Sequence, residues 1–168
     1  MTIKLEVYDP AAYYADQKKF DCGHTAINKF VHGSLKKQVA DGFSVASVLV
    51  DESASNRFVG FFTTAQHSIE MSLLSSLQLG SMPRKIPCTR LIMLGVDEHY
   101  KKQKLGLRLM KEVFSITKQV AIVSGTFGLY LDADPGAISF YQTLGFVLLE
   151  GDASPAPSPM FLRMQNIP

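Results

Sequence analysis

The residues best suited to chemistry lie in one segment, Leu94–Met110, where a predicted strand meets a predicted helix. The apolar run Leu91–Val96 enters a short turn, and an apolar pattern with helical spacing follows it. The intervening basic residues cluster around a glycine, Gly106, and are Lys101, Lys102, Lys104 and Arg108. Free N–H groups at a helix start, together with the positive end of the helix dipole, attract an anion. The segment therefore predicts a phosphate-binding turn.

A second segment, Ala137–Phe146, places Tyr141 one helical turn before Gly145, a residue type that commonly ends helices. A tyrosine hydroxyl has an ordinary pKa of about 10, which suits a general acid that protonates a departing thiolate. The alternative is a tyrosine that only packs in the core, since its neighbour Phe140 shows that aromatic bulk is used here. The residues alone leave both interpretations open.

The other candidates for chemistry are less distinctive. The four histidines have no metal-ligand spacing, so we expect no metal, and only His67 falls on a strand that could face a substrate. Asp97 and Glu98 are better explained as turn residues than as an acid–base pair. Cys22 suits a buried structural thiol. Basic pairs recur and could bind a nucleic-acid backbone or be solvated surface: Lys18–Lys19, Lys36–Lys37 and Arg84–Lys85.

The composition is that of a folded globular protein. The chain has 168 residues, of which 46% are hydrophobic and 19% charged, enough for a substantial core. Its net charge is +2, so any nucleic-acid contact must come from local patches. The two cysteines form no C-x-x-C pair, and no apolar run approaches the roughly 20 residues of a membrane helix. We expect a single domain over residues 1–168, no membrane association and a cytoplasmic location.

The predicted elements place the phosphate-binding turn inside a mixed α/β domain. Strands are predicted at residues 3–7, 44–50, 58–69, 89–96, 127–131, 146–149 and 160–164. Helices are predicted at residues 24–40, 70–80, 104–119 and 135–144, and loops at residues 81–87 and 152–159. A strand-rich first half followed by a β-α-β-α-β second half indicates a mixed α/β fold.

In the segments Leu94–Met110 and Ala137–Phe146, the sequence resembles the GNAT superfamily of acetyl-CoA-dependent N-acetyltransferases. The family motif is a strand ending in V-D, an aromatic residue after a short turn, and Q/R-x-x-G-x-G/A opening a helix. When the motif is aligned on Val96, Asp97 and Tyr100, its last glycine corresponds to Gly106. Lys104 stands in place of its first glycine. The second signature, A-x-x-F-Y-x-x-x-G-F, is matched at Ala137, Phe140, Tyr141, Gly145 and Phe146. The resemblance implies the GNAT fold, a central twisted mixed β-sheet flanked by helices.

The rest of the chain resembles a subgroup, the GNAT toxins of bacterial toxin–antitoxin pairs. Their F-x-C-G, G-F/Y-x-T/S and terminal L/F-x-x-M patterns fall at Phe20–Gly23, Gly60–Thr64 and Met160–Met164. The family pattern also has an arginine on the central strand, where Met93 stands here. The resemblance implies an enzyme that acetylates the α-amine of aminoacyl-tRNA to block translation, with a ribbon-helix-helix antitoxin as its partner.

The resemblance also assigns roles to residues. It implies that Tyr141 is the general acid, with its hydroxyl directed at the CoA sulfur, and that a backbone N–H near Leu94–Val96 stabilises the thioester oxygen. The amides of residues 103–107 are expected to bind the pyrophosphate, provided that Lys104 has an ordinary helical φ. The residues expected to bind acetyl-CoA are Leu94, Gly95, Val96, Lys101, Lys102, Gln103, Lys104, Leu105, Gly106, Leu107 and Phe140.

Two other functions stay open at this point. One is an acetyltransferase for a small amine or a peptide N-terminus, which acidic residues around the acceptor would favour. The other is a CoA-binding or interaction module without catalysis, suggested by Lys104 in place of the motif glycine. The sequence leaves the acceptor amine and the oligomeric state undetermined, a homodimer being one alternative.

Overall fold

A computed structural model of the chain describes residues 1–149 and 157–168. Its strands are β1 (Ile3–Val7), β2 (Val45–Asp51), β3 (Arg57–Glu70), β4 (Lys85–Val96), β5 (Gly128–Ala133), β6 (Val147–Leu148) and β7 (Ser158–Arg163). Its helices are α1 (Thr25–Gly33), α2 (Leu35–Ala40), α3 (Leu105–Val123) and α4 (Ile138–Thr143). The described strands form one sheet in the order β1-β2-β3-β4-β5-β7-β6. This is the mixed α/β architecture that the sequence predicts.

The sheet mixes antiparallel and parallel pairs. β1 pairs antiparallel with β2, and β2 pairs antiparallel with β3 through a hairpin. Local polar residues close that hairpin: the Asp51 side chain accepts a hydrogen bond from the Ser53 N–H at 3.0 Å, and Ser55 and Asn56 are left-handed. β4 and β5 are parallel, and β7 pairs antiparallel with both β5 and β6.

Two predicted helices and two predicted loops differ from the structure. The helix predicted over residues 24–40 is broken at Ser34, whose φ of −128° lies outside the helical range; Gly33 and Ser34 are both poorer helix formers than the residues around them. The segment predicted as a helix over 70–80 is a 3₁₀ helix, Met71–Leu77. The two predicted loops are shorter, because Lys85–Pro87 belongs to β4 and residues 158–159 to β7. Residues 152–156 of the second loop lie outside the described residues.

The chain divides into two compact units. The first comprises Met1–Ala65 and Met93–Val113, and the second comprises Gln66–Ile92 and Phe114–Pro168. An aromatic cluster forms the core of the first unit, where the Phe20 ring packs edge-on against Phe58 and Phe61 at 5.2 and 5.8 Å. The core of the second unit contains Ile69, Leu74, Ile86, Cys88, Tyr130, Leu149 and Phe161. The single-domain organisation over residues 1–168 stays a prediction.

Candidate active site

The predicted phosphate-binding turn lies in the first unit and is organised by Asp97, which is 1% exposed. One of its carboxylate oxygens accepts hydrogen bonds from the backbone N–H and the ring Nδ1 of His99, at 2.9 and 2.8 Å. The other oxygen accepts one from the backbone N–H of Asp21 at 3.2 Å. Asp97 therefore caps the 3₁₀ turn Glu98–Tyr100 and ties it to the segment before α1, which is the turn role that the sequence predicts.

Two further side chains fasten the turn to its surroundings in this unit. The hydroxyl of Tyr100 donates to Asp51 at 2.8 Å in a buried contact. The ammonium of Lys101 donates to the carbonyl of Cys22 at 3.0 Å and lies 3.3 Å from the carboxylate of Glu98. Because these protein groups occupy its ammonium, Lys101 is better placed to hold the turn than to bind phosphate.

The condition placed on pyrophosphate binding, an ordinary helical φ at Lys104, is not met. Its φ is +59°, and that of Lys102 is +65°, so both residues are left-handed. The chain changes direction here between the 3₁₀ turn and α3, and this conformation is the one that glycine adopts without strain. A residue with a Cβ pays about 1 kcal/mol for it. Lys104 therefore has, at a cost in stability, a conformation that a glycine at this position would adopt freely.

The start of α3 retains the donors that an anion requires. The first i to i−4 hydrogen bond runs from the Arg108 N–H to the Lys104 carbonyl at 3.1 Å. The amides of residues 105–107 thus have no helical acceptor. Lys102 and Lys104 are exposed and form no ion pair with any described residue, whereas the Arg108 guanidinium donates to the Ile3 carbonyl at 3.1 Å. Three amides and two ammonium groups that have no hydrogen-bond or ion-pair partner among the described residues fit a pyrophosphate.

The strand before the turn has a packing reason for its glycine. A Cβ on Gly95 would lie 3.2 Å from the Cys22 sulfur and 3.3 Å from the Ile27 side chain. A Cβ at this position would therefore require Cys22 and Ile27 to shift by a few tenths of an ångström, whereas glycine fits without any shift. Cys22 is buried as predicted, and burial raises the pKa of its thiol. The oxyanion role of Leu94–Val96 stays a prediction.

Tyr141 lies on α4 in the second unit and is 8% exposed. Its ring packs edge-on against Phe140 and Phe146, with centroids 5.2 and 5.6 Å away. Burial, with a smaller contribution from the Asp134 carboxylate, raises the pKa of its hydroxyl to about 12. No described residue hydrogen bonds to that hydroxyl. Tyr141 is therefore a core side chain that stays protonated at neutral pH, with its proton available to a ligand.

Four polar residues of the second unit form a cluster that the sequence analysis did not assemble: His67 on β3, Arg90 on β4, and Tyr130 and Asp132 on β5. The Tyr130 hydroxyl and the Arg90 guanidinium donate to the two oxygens of Asp132, at 2.9 and 3.2 Å. The His67 ring lies 5.4 Å from the Tyr130 ring. The sequence analysis named only His67 as a candidate. The other three residues meet it because of the register between strands, which the spacing of residues in the sequence does not reveal.

A groove of about 650 Å³ in the first unit gathers two of the predicted basic pairs. Tyr8, Tyr14 and Val31 contribute buried side chains to it, and Tyr13, 83% exposed, stands at its edge. The lysines that line it are Lys18, Lys19, Lys36 and Lys37. We call this the lysine groove. The third pair is elsewhere, in the second unit, where Arg84 and Lys85 both lie within 4.0 Å of Glu70.

In residues 1–149 and 157–168, no group of three or more His, Cys, Asp or Glu side chains is arranged to hold a metal ion. None of the helices in residues 1–149 and 157–168 is both long and apolar enough to cross a membrane.

Comparison with known proteins identifies the family. The model of the GNAT acetyltransferase domain matches residues 21–154. A crystal structure of a bacterial toxin is 38% identical, with a TM-score of 0.92 over 98% of this chain and 92% of that one. AtaTR bound with AcCoA is 25% identical, with a TM-score of 0.81 over 97% and 94% of the two chains. AtaT complexed with acetyl-methionyl-tRNAfMet is 24% identical, with a TM-score of 0.85 over 98% and 96%.

A search of curated proteins gave no significant match. The family model nevertheless covers most of the chain, and the described fold and the free amides at the start of α3 agree with it. The chain therefore belongs to the GNAT acetyltransferase family and is an N-acetyltransferase that uses acetyl-CoA as its acetyl donor.

Proposed function

We propose that this acetyltransferase is the toxin of a toxin–antitoxin pair and that it acetylates the α-amine of aminoacyl-tRNA. The observation that carries the proposal is the likeness to a bacterial toxin, at 38% identity over 98% of the chain. The likeness to AtaT with acetyl-methionyl-tRNAfMet, at 24% identity, supports the fold and suggests the class of acceptor.

The lysine groove supports an RNA acceptor more than a small amine. In a chain with a net charge of only +2, four lysines line one concavity. Two of them have a carboxylate within ion-pair distance, since Lys19 lies 3.8 Å from Asp16 and Lys37 contacts Asp41 at 2.6 Å. The exposed ring of Tyr13 adds a surface on which a base could stack. Phosphates require cations of this kind, whereas an ammonium substrate would favour an acidic surface.

The residue roles in this proposal follow the family pattern. The amides of residues 103–107 and the ammonium groups of Lys102 and Lys104 bind the pyrophosphate of acetyl-CoA. A backbone N–H near Leu94–Val96 stabilises the thioester oxygen, and Phe140 contributes to binding of the donor. Tyr141 gives its proton to the CoA thiolate as the amine displaces it.

Expression of the wild-type chain from an inducible promoter tests the biological part of the proposal. We expect growth arrest, relieved by Tyr141→Phe, and acetylated aminoacyl-tRNA in RNA extracted from the arrested cells. If the protein is harmless yet acetylates simple amines in vitro, the enzyme for a small amine or a peptide N-terminus is the correct function instead.

The acetyl-CoA site is tested separately by calorimetry on a Gly106→Val variant. A branched side chain in the first turn of α3 would stand where a phosphate approaches the backbone, so we expect affinity to fall at least tenfold. Undiminished affinity in a folded variant would place the pyrophosphate elsewhere.

We further propose a ribbon-helix-helix antitoxin as the partner, as in the toxins that the sequence resembles. Co-expression with such a protein encoded beside this chain should restore growth and yield a complex that co-purifies. A homodimer stays a prediction, which light scattering on the purified protein would test.

A further inference from the structure

We propose that the cluster of His67, Arg90, Tyr130 and Asp132 receives the acceptor ammonium, and that the His67 imidazole takes its proton before the nitrogen attacks. The proposal rests on the N-acetyltransferase activity of the chain and holds whether or not the acceptor is an aminoacyl-tRNA. Tyr141 serves the departing thiol, so the amine side of the reaction needs a base of its own.

His67 has the environment of a proton acceptor. It is half-buried on β3, and neither ring nitrogen has a hydrogen-bond partner among the described residues. A histidine with a structural role is usually held by such a bond, as His32 is by the Phe20 carbonyl at 2.7 Å. The described ring contact of His67 is with Tyr130, which leaves both nitrogens open to a ligand as far as the described residues are concerned.

The groups that face His67 keep it neutral. Burial lowers the pKa of His67, and the Arg90 cation lowers it further, while the Asp132 carboxylate opposes them. Burial also raises the pKa of the Tyr130 hydroxyl, and that of the Cys88 thiol to about 11, so neither carries charge at neutral pH. A neutral imidazole is the form that can accept a proton from an ammonium group.

The same cluster contains a hydrogen-bond donor that the described residues do not satisfy. The Nε of Arg90 is buried and has no partner among the described residues. A buried donor left unpaired is costly and requires an explanation. An acceptor that brings an oxygen of its own, such as the ester carbonyl beside an α-amine, would satisfy this donor while its ammonium reaches His67.

The cluster also includes the last described pair between β4 and β5. The ladder between β4 and β5 consists of two described pairs, Thr89 with Leu129 and Arg90 with Tyr130. β5 continues for three residues past Tyr130, to Ala133, with β7 as its described ladder partner over that stretch. Backbone groups of a parallel strand that has stopped pairing are available to a ligand beside it.

The chemistry balances without a further reactant. The acceptor ammonium gives one proton to His67, and its freed lone pair forms the C–N bond to the thioester carbonyl. Collapse of the adduct breaks the C–S bond, and Tyr141 protonates the departing thiolate. The nitrogen loses its second proton to solvent as the amide forms, and solvent returns a proton to the Tyr141 phenolate. One proton remains on His67 and is released to water.

The test measures kcat/KM as a function of pH. The fall of kcat/KM at low pH, its acid limb, reports the protonation of His67, and two substitutions are expected to move this limb in opposite directions. Arg90→Gln removes a cation, so the His67 pKa rises and the limb moves to higher pH. Asp132→Asn removes an anion, so the limb moves to lower pH. CoA release is followed with aminoacylated tRNA and, in parallel, with methionine methyl ester, so that a failure of tRNA alone counts against the proposed function only. The titration of the acceptor itself is common to all variants.

His67→Gln should lower kcat/KM about 10²-fold at neutral pH and abolish the His67 limb, with acetyl-CoA affinity by calorimetry unchanged. The matched control is His24→Asn, since His24 caps α1 through its Nδ1 and asparagine caps equally well; its profile should equal that of the wild type. The proposal is overturned if His67→Gln keeps the wild-type profile, or if the two charge variants move the acid limb in the same direction or leave it in place.

Discussion

Two polar clusters, one around Asp97 in the first unit and one around His67 in the second, differ in how their ionisable groups are paired. Around Asp97, both carboxylate oxygens accept hydrogen bonds from neighbouring groups, and the nearby Asp51 accepts from Tyr100. Around His67, neither imidazole nitrogen has a described partner, while a buried arginine Nε without a described partner occurs in both clusters, at Arg57 beside Asp97 and at Arg90 beside Asp132. Burial is expensive for any polar group, so a carboxylate with both oxygens bonded indicates a structural role, whereas an imidazole without a partner can bind a ligand. We therefore expect substitution of Asp97 to change stability and substitution of His67 to change turnover.

The largest expected effect tests the chemistry of the second unit. Tyr141→Phe keeps the ring contacts with Phe140 and Phe146 and removes only the hydroxyl. We expect turnover to fall by roughly 10²–10⁴-fold, the usual contribution of a general acid. Acetyl-CoA affinity and the free energy of unfolding should stay near the wild-type values. A variant as active as the wild type would show that Tyr141 is only a packing residue.

The next prediction concerns the buried Asp97 carboxylate of the first unit. Asp97→Ala removes the acceptor for the N–H groups of Asp21 and His99 in a buried place. We expect the free energy of unfolding to fall by about 3 kcal/mol in urea denaturation. The control is Asp41→Ala, because Asp41 forms an exposed pair with Lys37 and should cost less than about 0.5 kcal/mol. An equal loss of unfolding free energy in the two variants would contradict the structural role assigned to Asp97.

A smaller effect on the free energy of unfolding is expected when the pH is lowered. Hydrogen bonds from Ser53, and then from Tyr100, hold the pKa of Asp51 below its ordinary value, and the N–H of Gly23 does the same for Asp21. A lowered pKa stabilises the fold above the unfolded value of about 4 and ceases to do so as the pH falls through the folded value. Ser53→Ala should therefore cost about 1.5 kcal/mol at pH 7 and less at pH 3. An equal cost at both pH values would contradict this assignment.

The smallest expected effect is a gain in stability. Lys104→Gly places glycine where φ is +59°, so we expect the free energy of unfolding to rise by about 0.5–1 kcal/mol. Lys104→Ala is the control, because it removes the same ammonium and keeps the strained backbone. If the ammonium binds phosphate, both variants lose acetyl-CoA affinity in calorimetry, and only the glycine variant gains stability. Equal stability of the two variants would show that the left-handed backbone carries no cost.

Local sequence determined most of the elements. The alternation of Ile3, Leu5 and Val7 predicts β1, and the apolar spacing after Gly106 predicts α3, which runs four residues past the predicted end at 119. These patterns are legible because each helix or strand must turn its own apolar residues to one side. The break at Ser34 was missed, because helical periodicity continues through a kink that only the local φ reveals.

The sequence also determined the candidate chemistry in outline. It singled out Tyr141 and the turn before α3, since a phosphate-binding turn and a helix-borne tyrosine are short-range patterns. It did not determine the backbone of Lys104, whose φ is set by the path that the chain must take from the 3₁₀ turn into α3. Nor did it show that Lys101 is engaged by Cys22, 79 residues away in sequence.

Only the tertiary structure decided which distant residues meet. The pairs Lys18–Lys19 and Lys36–Lys37 line one groove, while Arg84–Lys85 is paired with Glu70 in the other unit. Register between β4 and β5 sets Arg90 opposite Tyr130, and a shift of one residue would have turned either side chain to the opposite face. Sequence patterns report the periodicity within an element, whereas a cluster made by three strands depends on their register, which the packing of the whole sheet sets.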